Sequence, residues 1–409
     1  MKDDGGVWVR RPLASLATVF TDGDWIESKD QSASGIRLVQ TGNVGEGEFK
    51  DRSAKARYID LPTFERLKCF EVHPGDILVS RLPDPVGRSC VVPDQGERMI
   101  TAVDCSVVRV DKSVMDERFL VYYTQSESYL RAVDERCTGT TRRRISRSNL
   151  GLVEIPVPPV EEQRQIVAIL DQAFAALDRA RAHAETNLAD AQELFATSLE
   201  SIFREAGSAS DTMLLADAVH PDCTLSYGIV QPGGDIEGGL PIVRPVDLKQ
   251  RIIKKYSLKR ISPDRASGYA RTRLVGGELL LCVRGSTGEV SVADAELKGA
   301  NVTRGIVPIR FNPEEVLPEF AYFQFRSPLV RDQIAAKTYG AALMQINIKD
   351  LRALSFFVPP IQKQKEMVVR LERLLEWSES LRDNYESQLK DIAALRQSLL
   401  QQAFSGKLT

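Results

Sequence analysis

The chain contains the same segment twice. "IPVPPVEEQRQIVAILDQAFAALD" begins at Ile155, and "FFVPPIQKQKEMVVRLERLLEWSE" begins at Phe356. The constant offset that carries Val157-Pro158-Pro159 to Val358-Pro359-Pro360 also pairs Gln163 with Gln364, Leu170 with Leu371, Leu188 with Leu389 and Phe203 with Phe404. Upstream it pairs Phe119 with Phe320, Gly139 with Gly340, Ile145 with Ile346 and Leu150 with Leu351. Further back, "GDILVSR" (75–81) resembles "GELLLCVR" (277–284) with a shift of one or two residues. A repeat of about 200 residues is too long for a solenoid, whose units run roughly 20–50 residues. The chain is a tandem duplication of a domain-sized unit.

Each unit divides into two parts. After the Pro-Pro step, which suits a helix start, apolar residues recur at steps of three and four. Ile166, Leu170, Ala173, Leu177, Leu188 and Phe195 form this stripe in the first copy; Met367, Leu371, Leu374, Leu381, Leu389 and Leu399 form it in the second. The spacing and the lack of internal Pro or Gly predict two long coiled-coil helices. Pairing of the helices with each other suits their length and narrow stripes; each packing on its own globule is the competing arrangement. The remainder of each unit reads as strands ("RLVQTGNV", "GDILVSR", "ITAVDCSVVRV" and their counterparts) followed by one short amphipathic helix. Strands grouped before helices indicate an α+β fold. The expected segments are globules at 1–155 and 208–356, with helices at 156–207 and 357–409.

Composition narrows the function. The net charge of −2 gives no global basic signature, so nucleic-acid binding requires local patches. Residues 208–360 supply some of that local charge, with 19 basic against 16 acidic residues. The six cysteines form no close pairs, which suits reduced thiols in a cytoplasm. No apolar run reaches membrane-spanning length, and the N-terminus shows no export signal.

A search for catalytic chemistry finds none. His73, His183 and His220 are far apart and lack metal-ligand spacing. "VRGSTGEV" (283–290) has no Lys after its second Gly and reads as a turn rather than a phosphate cradle. The short "ELK" (296–298), reminiscent of a nuclease motif, has no equivalent in the first copy.

Binding residues are easier to find. "GTTRRRISRSNL" (139–150) aligns with "GAALMQINIKDL" (340–351). The apolar frame agrees, while Arg144/Gln345, Ser146/Asn347 and Ser148/Lys349 differ. Arg suits guanine edges and Gln or Asn suits adenine in a major groove; Arg142, Arg143, Arg144 and Arg147 could equally hold phosphates. "VDLKQRIIKKYSLKR" (246–260) adds Lys249 and Lys254 around Tyr256, although such a run can also be a solvated face. Arg81, Arg244, Arg284, Ser286 and Lys349 complete the expected DNA-contacting set.

With these residues assembled, the chain resembles the DNA specificity subunits of type I restriction–modification systems. "ISRSNLGLVEIPVPPVEEQRQI", "INIKDLRALSFFVPPIQKQKEM", the duplicated "GDILVSR"/"GELLLCVR" and the terminal "LLQQAFSGKL" carry the likeness, although the second copy has Lys363-Gln364 where Glu-Gln is usual. The resemblance implies two target recognition domains, each reading half of a bipartite double-stranded DNA site, separated by two antiparallel helices. It implies docking of two methyltransferase subunits that carry S-adenosylmethionine, joined by an ATP-driven restriction subunit. Pro158, Pro159, Gln163, Pro359, Pro360 and Gln364 are the expected partner-docking residues, and the chain itself is expected to be non-catalytic. A self-contained methyltransferase or nuclease, and a coiled-coil scaffold without DNA function, are the alternative readings.

Overall fold

The computed structural model describes residues 8–139, 143–206, 212–340 and 343–408. Contacts divide the chain into two compact units. Unit 1 comprises residues up to Ala184 together with those from Ser387 on; unit 2 is the continuous stretch Glu185–Glu386. Each unit therefore contains one globule and a segment of each long helix.

The helices run Val160–Ala206 and Ile361–Phe404, starting directly after Pro159 and Pro360. In unit 1, Ile166, Leu170 and Phe174 of the first helix share a core with Leu400 and Ala403 near the end of the second. Arg396 pairs with Asp178 at 3.2 Å and lies over the Phe174 ring. In unit 2 the end of the first helix meets the start of the second: Leu199, Ile202 and Phe203 pack with Met367, Leu371 and Leu375. Lys363 donates to the Ala206 carbonyl at 2.7 Å, and Arg370 pairs with Glu205 at 3.1 Å. In both units the helix segments run antiparallel, as the sequence suggests. They also pack on the globules, so the two sequence-based arrangements coexist.

The globules share a frame of small sheets. In unit 1, Ile36–Val39 lies between antiparallel Arg57–Ile59 and parallel Met99–Thr101. In unit 2, Leu240–Val243 lies the same way between Lys259–Ile261 and Asn301–Val302. A second sheet in each pairs Ile77–Ser80 with Ser89–Val91 and Cys105–Val110, or Leu279–Cys282 with Val290–Ala293 and Ile306–Ile309. Its central strands are wholly buried, which accounts for their unbroken apolar runs.

The structure corrects one expectation of secondary structure. The single amphipathic helix of each copy is two helices: Glu117–Tyr123 and Glu127–Asp134, and Pro318–Arg326 and Pro328–Lys337. In unit 1, Ser126 caps the second helix by accepting from the Tyr129 amide. In unit 2, Pro328 has no amide to continue the first. Apolar periodicity runs through both breaks and hides them.

Candidate functional site

Beside the end of each Ile77–Ser80 or Leu279–Cys282 strand, two short segments are bridged by backbone bonds. In unit 1 the Thr138 and Arg144 backbones exchange hydrogen bonds of 2.8 and 3.0 Å; in unit 2, Tyr339 and Gln345 do so at 2.9 and 2.8 Å. The next residue anchors each loop, since Ile145 donates to the Arg81 carbonyl and Ile346 to the Val283 carbonyl. Arg81 and Val283 are themselves fixed by the carbonyls of Asp104 and Gly305. One main-chain frame is built twice, and its side chains change: Arg143 for Met344, Arg144 for Gln345, Leu82 for Arg284.

This register separates two arginines that the sequence placed together. Arg81 matches Val283, whereas Arg284 matches Leu82. Arg81 is only 5% exposed. Its Nη2 donates to the Val103 carbonyl at 2.5 Å, and its Nε lies 3.5 Å from Asp22. Burial lowers its pKa, with the Asp22 charge opposing that shift. Of the expected DNA-contacting residues, Arg81 therefore stands apart: it is buried and holds the frame from inside.

The other expected residues divide by environment. Arg143 is half exposed and pairs with Asp134 at 2.7 Å. Arg144, also half exposed, pairs with Asp104 at 3.2 Å. Arg147, Lys249, Lys254, Ser286 and Lys349 are exposed. Arg244 pairs with Asp247 at 2.9 Å, and Arg284 and Gln345 are partly buried. Arg142 lies outside the described residues. Asn347 has a structural use: its Oδ1 accepts from the Asp350 amide at 2.8 Å and caps helix Ile348–Arg352. Ser146 caps Arg147–Gly151 in the same way. Their difference is therefore between two good capping residues, which "SRSN" and "NIKD" already signal.

The expected docking residues also divide by environment. Gln163 and Gln364 are fully buried. Gln163 Oε1 accepts from the Asp116 amide at 2.8 Å, and its Nε2 donates to the Val114 and Pro158 carbonyls, each at 2.8 Å. Gln364 makes the matching bonds to Leu317 (3.0 Å), Glu315 (2.7 Å) and Pro359 (2.8 Å). Each glutamine ties its helix start to its own globule, with both its carbonyl oxygen and its amide nitrogen engaged. Pro158 and Pro359 are buried, while Pro159 and Pro360 are exposed.

Sequence reasoning missed Arg88. Its guanidinium donates to the carbonyls of Val44, Leu82, Pro85 and Thr41 at 2.8–3.0 Å, joining two loops of unit 1. Burial lowers its pKa. Glu289 occupies the matching position in unit 2, so the duplication offers no signal for it.

Little in these surroundings suits bond-making chemistry. Burial pushes the Cys90 thiol up to about 12 and the Cys105 thiol to about 11, which suppresses the nucleophilic thiolate. Among the described residues no group of three or more His, Cys, Asp or Glu is placed to hold a metal ion. No helix there is long and apolar enough to cross a membrane.

A duplicated α+β frame whose matching loops carry different side chains, tied to paired antiparallel helices, defines a recognition scaffold rather than an enzyme core. The sequence model of the type I restriction modification DNA specificity domain matches residues 8–184 and 233–390, and the chain belongs to that family. It is 25% identical over 324 residues to the type I restriction enzyme EcoBI specificity subunit of Escherichia coli, covering 74% of this chain and 68% of that protein. It is 23% identical to the EcoKI specificity subunit of Escherichia coli K12, covering 98% and 89%. Two solved structures share the fold. A chain from a study of complex assembly and conformational transition in a type I R-M system matches with TM-score 0.80, 18% identity and 98% of each chain covered. The HsdS subunit of Thermoanaerobacter tengcongensis matches with TM-score 0.56 and 18% identity, covering 99% of this chain and 98% of that one.

Proposed function

We propose that this chain is the sequence-specificity subunit of a type I restriction–modification complex, non-catalytic in itself, whose units each read one half of a bipartite double-stranded DNA site. The observation that carries this reading is the loop frame built twice with different side chains. Thr138–Arg144 and Tyr339–Gln345 have matching backbone bonds, so they present different groups from the same scaffold. Arg144 offers a bidentate donor suited to guanine, and Gln345 an amide suited to adenine. Arg143, Arg147, Lys249, Lys254 and Lys349 supply phosphate contacts that position without specifying; Arg284 and Ser286 flank the second loop, and Arg244 adds a further cation in unit 2.

The repeat also suits a pair of identical partners, since near-identical surfaces offered twice allow two copies to bind one chain. Those partners are two methyltransferase subunits carrying S-adenosylmethionine, with an ATP-driven restriction subunit completing a cytoplasmic complex. Exposed Pro159 and Pro360, rather than the buried glutamines, are the candidate contacts at the helix starts.

The test is exchange of residues 1–155 for those of another family member, followed by sequencing of methylated sites in the host. One half-site should change and the other stay. A change in both halves or in neither refutes independent reading. A coiled-coil scaffold without DNA function predicts no change.

A further inference from the structure

We propose that the turn around Tyr256 is a second DNA contact, particular to unit 2, in which the tyrosine ring packs against sugar and base edges of the duplex while Lys254 and Lys255 hold the flanking phosphates. This rests on the DNA-reading function proposed above.

Tyr256 is 80% exposed, more than any other large apolar or aromatic side chain among the described residues. A single exposed aromatic residue needs no explanation by itself. Its position supplies one. Tyr256 lies in the short helical turn Lys255–Ser257, which leads directly into strand Lys259–Ile261. That strand runs antiparallel to Leu240–Val243, with Lys259 opposite Ile242. The turn therefore emerges at the end of the sheet where Val243 passes into Arg244. Val302 pairs with Val243 at this same end, leading into the loop that reaches Gly305. A Cβ on Gly305 would lie 2.6 Å from Pro245 Cγ and 3.7 Å from the Arg284 carbonyl. The sheet register thus brings the turn to the end that carries Arg244, and the loop after Val302 leads from that same end to the Arg284 backbone.

Unit 1 supplies an internal comparison. Its matching turn is Ser53–Lys55, followed by strand Arg57–Ile59 with Arg57 opposite Leu38. Ala54 stands where unit 2 has Tyr256, while Arg52, Lys55 and Arg57 keep the turn basic and exposed. The cations are common to both turns and the ring belongs to one. Shared charge fits backbone contact, and a ring present on one side only fits a contact made in one half-site. Aromatic rings contribute to nucleic-acid binding through their faces and through wedging at base steps, independently of charge.

That independence gives the test. Binding of the assembled complex to a duplex carrying its site is followed by fluorescence anisotropy over a series of salt concentrations. Tyr256→Ala should bind about tenfold more weakly with the salt slope unchanged, and Tyr256→Phe should stay within about twofold of wild type. Lys254→Ala should instead make the slope of log affinity against log salt shallower by about 0.9, the loss of one phosphate contact. An unchanged melting temperature for Tyr256→Ala establishes that the fold is intact. Wild-type affinity in Tyr256→Ala, or Tyr256→Phe as weak as Tyr256→Ala, overturns the proposal while leaving the specificity function standing. Absence of site-selective binding in the wild-type complex overturns the function itself.

Discussion

Replacing Gln163 with alanine separates an architectural role from a docking role. The side chain makes three hydrogen bonds in a fully buried setting: one accepted from the Asp116 amide, two donated to the Val114 and Pro158 carbonyls. The substitution leaves one amide and two carbonyls without a partner. Each buried polar group left unpaired costs about 1–3 kcal/mol, and water entering the vacated volume recovers part of that, so a net loss of about 3 kcal/mol is expected. The loss should be local. Amide hydrogen exchange followed by mass spectrometry should accelerate around 114–116 and the helix start at 160, with residues 315–317 unaffected. Gln364→Ala should give the mirror result, because its bonds to Leu317, Glu315 and Pro359 match. Urea denaturation of the chain alone supplies the magnitude. If either variant loses less than about 0.5 kcal/mol yet fails to bind the proposed methyltransferase partner, the glutamines are docking residues and the reasoning fails.

Three further outcomes follow from the packing. Phe404 sits edge-on to Phe119 and Tyr123, with ring centroids 5.3 and 5.1 Å away, so Phe404→Ala should destabilise unit 1 by about 3 kcal/mol; Phe203→Ala should do the same to unit 2, as unit-resolved hydrogen exchange would register. Asn347→Ala should lose about 1 kcal/mol in a urea melt, whereas Asn347→Asp should keep both the cap and the methylated sequence; an altered half-site in the Asp variant would show that Asn347 reads a base. Adding seven residues to each long helix, after Ala184 and after Glu386, falls between the compact units and cuts no contact inside either. If the helices measure the gap between half-sites, about 10 Å of added helix should widen it by up to about three base pairs, read by methylation sequencing; an active complex with the original gap refutes this.

The duplication made the large features legible. Apolar stripes after Pro159 and Pro360 give the long helices because no breaker interrupts them, and runs such as "DILVS" give buried strands. The site was legible in outline, since Arg144 and Gln345 stand out as different side chains on a matching frame. Burial was not. Gln163 and Gln364 look like surface residues of an amphipathic helix, and only the folded loops before Asp116 and Leu317 enclose them. Arg81 resembles Arg284 in sequence, but a one-residue difference in the preceding segment turns the first inward. Arg88 binds carbonyls of residues distant in sequence, a role that no local pattern encodes.

Unit 1 is assembled from both ends of the chain, and this fixes the order in which the protein can be completed during synthesis. Unit 2 is continuous from Glu185 to Glu386, so all its parts have been translated before the last helix segment is made. Unit 1 begins earlier and finishes later. Trp8, Phe119 and Tyr123 reach their final environment only when Phe404 and Gly406 arrive beside them. At about 10 residues per second, the ribosome takes on the order of 20 s to travel from Ala184 to the C-terminus. Throughout that interval the nascent first globule holds an apolar seat open for Phe404. A chain stopped just before Phe404 should therefore have a native second unit and a first unit that invites chaperones and proteases.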